Sequence, residues 1–129
     1  MKIGDRIDYS AIVDRAPLSL PDGGRVIIWP VVNLEEWPPE LPLPRRILTP
    51  PGEGGHVPDI PNWCWSEYGM RIGVWRLMEV LSDFNITPTV SMNGTVPNAY
   101  PRVAEAALEA GWEFMGHSYI QKPMYELDD

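Results

Sequence analysis

Cysteine is nearly missing from this chain: Cys64 is the only one in 129 residues. A single thiol cannot close an internal disulfide or build a cysteine-rich zinc framework, and it fits a reducing compartment. Set between Trp63 and Trp65, it is expected to pack rather than to act as a nucleophile. Basic residues are also scarce, with 10 Lys and Arg against 18 Asp and Glu, for a formal charge of −8. No basic stripe is available to neutralise phosphates, which argues against nucleic acid as a partner. The adjacent pair Arg45-Arg46 sits among prolines and is expected to be solvated. Long apolar runs are lacking as well. The opening stretch MKIGDRIDYSAIVDR is charged throughout, without the apolar core of a signal peptide or a membrane span. These absences set the expectation of a cytoplasmic protein with no membrane partner.

Proline, in contrast, is plentiful, with 15 in the chain, many of them between Pro38 and Pro61. Pro38 to Trp65 therefore reads as one long irregular loop, and a loop of that length in a small domain is usually functional or disordered. It closes on Trp63, Trp65 and Tyr68, so it is expected to be an ordered cover over a site. His56, in its Gly-rich part, reads as a solvated side chain.

The remainder has ordinary α/β patterning. Residues 1–24 form an extended lead-in, and 25–129 a single domain, small beside the about 250 residues of a closed α/β barrel. Arg25–Leu34 contains a continuous Val/Ile run expected to form a fully buried parallel strand, with Pro30 at a bulge or edge. Met70, Val74, Leu77, Met78, Leu81 and Phe84 recur on one face and predict a helix over Met70–Phe84. Asn85 can close that helix in a left-handed conformation, and Pro88 prevents its continuation. A second strand is expected at Thr87–Met92. A second helix follows at Pro101–Ala110, with Val103, Ala107 and Leu108 inward and Gly111 as its stop. A third strand is expected at Glu113–Met115. Right-handed crossovers would make the three strands parallel.

That arrangement delivers polar residues to one rim, where parallel α/β folds place their chemistry. Asn33, Glu35 and Glu36 follow the first strand, Asn93 the second and His117 the third. Two carboxylates and an imidazole could bind a divalent metal or pair a general base with an electrostatic stabiliser.

Three segments carry a resemblance: VNLEEW (Val32–Trp37), WSEYGMRIGVWRL (Trp65–Leu77) and GWEFMGHSYIQ (Gly111–Gln121). In this order they resemble the N-terminal part of the polysaccharide deacetylase, or NodB-homology, superfamily. The branch they are most similar to is that of the cytoplasmic peptidoglycan-deacetylase-like proteins and the metal-independent allantoinases. The resemblance spans roughly Gly24 to the C-terminus. It implies the N-terminal portion of a distorted (β/α) TIM-like barrel, with three parallel strands and two main helices. It also implies hydrolysis of non-peptide C–N bonds in an amide, a ureide or an acetylated amino sugar. An Asp-Asp pair supplies the family's base and one metal ligand. By resemblance Glu35 takes the base position and Glu36 the metal position, with a glutamate pair also typical of the allantoinase-like branch. Trp65, Glu67 and Tyr68 would line the entrance with Asn33 and Asn93, while Arg71 and Arg76 would be structural ion-pair partners.

The family's second motif places two metal-binding histidines four residues apart; here they are His117 and Gln121. Glutamine is a poor zinc ligand, so the resemblance implies no cofactor or a weakly bound divalent metal such as zinc. The family's later motifs lie beyond this chain, and three β/α units would leave an open strand edge. The expectation is a C–N hydrolase domain inactive alone, awaiting a C-terminal half or a second copy. The alternative is a non-catalytic assembly or binding module. A flavodoxin-like domain is disfavoured, because no Gly-rich phosphate loop follows the first strand.

Overall fold

Two prolines fix where the sheet begins. Neither Pro30 nor Pro88 has an N–H to give a ladder, and strand pairing starts at the residue after each. In the computed structural model, which describes residues 8–41, 43, 47–49 and 57–122, β1 spans Val31–Leu34 and β2 spans Thr89–Met92. Val31 lies opposite Thr89, and the Thr89 N–H reaches back to the Pro30 carbonyl at 3.1 Å. The third strand, β3, spans Glu113–Gly116 and pairs parallel with the other side of β2. The fold is thus a mixed α/β arrangement around one parallel sheet of order β1-β2-β3.

Only the central strand is buried along its whole length, and Val90 has no solvent exposure at all. The expected first strand is corrected on two counts. It is four residues long rather than ten, and of these only Leu34 is buried. The apolar run Val26–Trp29 precedes it as exposed chain, with Ile28 84% exposed. Pro30 is the boundary of the strand and not a bulge within it. Trp29 alone reaches back, donating its indole N–H to Thr89 Oγ1 at 2.8 Å.

Helix α1 runs over Ile60–Tyr68, and its start overlaps the end of the loop expected to reach Trp65. Asp59 caps it by accepting from the Asn62 N–H, and Pro61 sits in the first turn, where its missing N–H leaves no bond unmade. A π turn over Gly69–Gly73 leads directly into α2, Val74–Asp83. The helix expected from Met70 therefore begins ten residues earlier. Met70 and Val74 are buried, and Met78 and Leu81 pack against the core, but Leu77 and Phe84 are exposed. Asn85 adopts the left-handed conformation at φ 53°, and closes the helix as expected.

A short helix α3, Val96–Ala99, follows β2, and α4 spans Pro101–Glu109. Val103 and Ala107 point inward, whereas Leu108, expected to join them, is exposed. Gly111 at φ +71° ends this segment. Trp112 closes the core formed with Leu34, Met70, Val74, Val90, Met92, Val96, Val103 and Ala107. Cys64 is exposed rather than packed. Residues 8–29 are almost wholly exposed and hold two single 3₁₀ turns, Ile12–Asp14 and Pro21–Gly23. The pair Arg45-Arg46 and His56 lie outside the described residues. Among the described residues no helix is long and apolar enough to cross a membrane.

Deleting buried methyl groups at the sheet centre should be costly. Val90→Ala is expected to lower stability by about 2–3 kcal/mol, and Leu108→Ala to change it by under about 0.5 kcal/mol. Urea denaturation midpoints of the two variants would check this contrast.

Candidate functional site

The carboxyl ends of the three strands place the candidate residues. Beyond the last paired residues, Leu34, Met92 and Gly116, the chains leave the sheet as Glu35, Asn93 and His117. The Glu35 carboxylate meets the His117 imidazole there, with Oε1 and Nε2 3.0 Å apart. Two further donors hold the same carboxylate. Asn33 Nδ2 donates to Oε1 at 3.3 Å, and Trp37 Nε1 donates to Oε2 at 3.0 Å. Trp37 is itself anchored, since its carbonyl accepts the Trp63 indole N–H from α1 at 3.0 Å. A chain of contacts therefore fixes the carboxylate from helix to sheet.

The pair remains reachable, with side-chain exposures of 25% for Glu35 and 38% for His117. It borders an open cavity of about 540 Å³, which Asn33, Trp37, Ser66 and Gln121 also line. Asn62 forms part of this wall from α1, and its side chain is completely occupied. Its Oδ1 accepts the N–H groups of Ile47 and Leu48, both at 2.7 Å, and its Nδ2 donates to the Leu48 carbonyl at 2.8 Å and to Asp59 at 2.9 Å. Asn62 thus pins the 47–49 segment to the start of α1.

The adjacent glutamates take different partners. The Glu36 N–H donates to Asn93 Oδ1 at 3.1 Å, while the charge of Glu36 is felt by the phenol of Tyr100. Beside Tyr100 lies Glu67, 6% exposed, which accepts from the Tyr100 hydroxyl and from Arg71 Nε, the latter at 2.6 Å. Glu67 therefore links α1 to the start of α4 as a buried tie. Arg71 is an ion-pair partner as the sequence implied, but Arg76 donates to the Tyr68 hydroxyl at 2.8 Å instead. Trp65 and Tyr68 stand on α1, not on a covering loop, and line a separate apolar cavity of about 430 Å³ with Cys64 and Leu48. Of the residues singled out from sequence, Asn33, Glu35, Asn93 and His117 are joined by hydrogen bonds at or near the rim. Trp65, Glu67 and Tyr68 are placed elsewhere.

No motif or spacing marks Trp37 or Asn62, and Trp63 enters the sequence reading only at the end of the expected loop. As for a metal, no group of three or more His, Cys, Asp or Glu capable of sharing an ion occurs among the described residues. His117 and Glu35 offer two donors with Gln121 beside them, whereas a catalytic zinc ordinarily takes three protein ligands. No family model, no curated protein and no solved structure matches the chain.

Burial, and then the hydrogen bond to Glu67, push the Tyr100 phenol well above its ordinary value of 10.0. Its proton is held more firmly in the folded than in the unfolded chain, so this contribution to stability is intact below the unfolded value and is lost as pH rises toward the folded one. Denaturant midpoints should fall above about pH 10, and Tyr100→Phe should flatten that fall. Equal pH dependence in the two proteins would contradict the assignment.

Proposed function

We propose that the rim is a hydrolytic site for non-peptide C–N bonds, of the amide, ureide or acetylated amino-sugar class. The contact between Glu35 and His117 at the ends of β1 and β3 is the observation that supports this reading most. Glu35, oriented by Asn33 and Trp37, takes a proton from the attacking water. The C–O bond forms at the carbonyl carbon, the C–N bond breaks, and the proton is returned to the leaving nitrogen. His117, whose Nε2 meets Glu35 Oε1, acts as the electrostatic stabiliser of that carboxylate while the proton moves. None of these steps needs an ion held by Glu36.

In this reading the three β/α units are part of a distorted TIM-like barrel of the polysaccharide deacetylase type, and turnover belongs to the unit in which both sheet edges are covered. The motifs around Glu35-Glu36 and Gly116-His117, and the parallel order of the strands, support it. With both edges covered, Glu35→Gln and His117→Ala should each reduce turnover by about 10²- to 10⁴-fold. Release of acetate or ammonia from a panel of N-acetylated sugars, cyclic ureides and imides measures this. Wild-type rates in both variants would remove the reading.

A second reading, an assembly module without catalysis, is favoured by the exposed edge strand β3 and by the apolar run Val26–Trp29. Light scattering after size-exclusion chromatography, with and without added zinc, should then show a defined, metal-indifferent oligomer of the 129-residue chain. A monodisperse monomer would count against it.

A further inference from the structure

We propose that Asn93 is the positioning residue of the rim, its side-chain amide setting the separation of the β1 and β3 ends and so holding Glu35 against His117. Its purpose rests on the hydrolytic reading above, while its substance is geometric.

Neighbouring strands lie about 4.8 Å apart, so β1 and β3, on opposite sides of β2, are separated by about 10 Å. No ladder hydrogen bond joins them directly. Glu35 and His117 nevertheless meet at 3.0 Å, just beyond the last paired residues, where the His117 N–H makes one more main-chain bond to the central strand, to the Met92 carbonyl at 3.0 Å. Asn93 stands at this point on the central strand and has no solvent exposure. Its backbone N–H donates to the Leu34 carbonyl at 3.2 Å. Its Oδ1 accepts the Glu36 N–H, and its Nδ2 donates to the carbonyl of His117. One buried side chain thus grips the residue after Glu35 on one side and His117 itself on the other.

The chemistry of the grip is specific to asparagine. An acceptor and a donor are both needed on a stem of one methylene. Aspartate supplies no donor, leucine supplies neither group, and glutamine is one methylene too long. With both ends of the amide engaged by backbone and no exposed surface, Asn93 has no face for a substrate. The connection continues past the strands: the Gly94 and Thr95 N–H groups donate to the carbonyls of Ser118 and Tyr119, each at 3.1 Å. Gly94 permits this approach, because a Cβ there would lie 2.5 Å from the Tyr119 ring.

Proton NMR of the ¹⁵N-labelled full chain tests the assignment without any turnover. In the wild type, the Asn93 side-chain amide protons should exchange at least about tenfold more slowly than those of exposed Asn98. A His117 ring N–H resonance should be visible and should vanish in Glu35→Ala. Asn93→Ala and Asn93→Asp should lose the same resonance while the backbone signals of α2 and α4 stay in place. Should neither variant fold, the wild-type exchange comparison decides alone. Retention of the His117 resonance in a folded Asn93 variant, or exchange at Asn93 as fast as at Asn98, overturns the positioning role and leaves the hydrolytic reading standing. A resonance that depends on Asn93 in a protein without turnover has the opposite meaning. A wild type lacking the resonance overturns both.

Discussion

The hydrogen-bond ladders on the two sides of β2 are the constraint from which the rest of the structure follows. β1 and β3 share no ladder, and each takes its height and direction from the same four central residues. Burial of Val90 and Met92 beneath the helices holds β2 in place, and whatever is built at the two outer strand ends inherits that placement. A parallel sheet suits such a role, because all its strands present the same end to one side. Residues far apart in sequence, such as Glu35 and His117, then come into contact without any loop having to carry them there.

A second layer of constraint is polar. Asn62 and Glu67, both nearly inaccessible, occur on one helix and each ties it to a different part of the chain. Unpaired buried polar groups are expensive, so a side chain with every partner in place selects one arrangement over near alternatives. Helix α1 has few buried apolar residues of its own. Its position is set largely by these two side chains and by the indole bond from Trp63 to Trp37.

How much of this was legible in the sequence depends on which signal each element carried. Strands β2 and β3 and helices α2 and α4 could be read because periodicity and punctuation agree there. Asn85 and Gly111 take positive φ where helices stop, and the parallel strand order follows from alternating elements. Apolar composition misled at Val26–Trp29, since a ladder requires a partner as well as propensity, and Pro88 denies that partner an N–H before Thr89. Prolines misled in the other direction at Pro58 and Pro61, which resemble loop yet frame a capped helix start. The same reading placed Trp65 and Tyr68 at the entrance, whereas from α1 they line a separate cavity. That Glu35 and His117 leave their strands on the same side was legible from strand direction, but their contact across β2 was not. The bond from the Glu36 N–H to Asn93 Oδ1 was not legible, because residues leaving a strand take local backbone partners that no spacing rule records.

The π turn at Gly69–Gly73 has a meaning for how the chain can change. Each residue of an α-helix turns its successor by about 100°, and a π turn absorbs one residue more than the regular spiral needs. Loss of a single residue from this segment would leave a smooth, well-bonded helix whose two parts still face much as they do now. Glu67 would keep Tyr100, Asn62 the 47–49 segment, and Trp63 Trp37. The same loss from the regular turns of α1 or α2 has no such slack, and would rotate everything ahead of it by roughly a quarter of a circle.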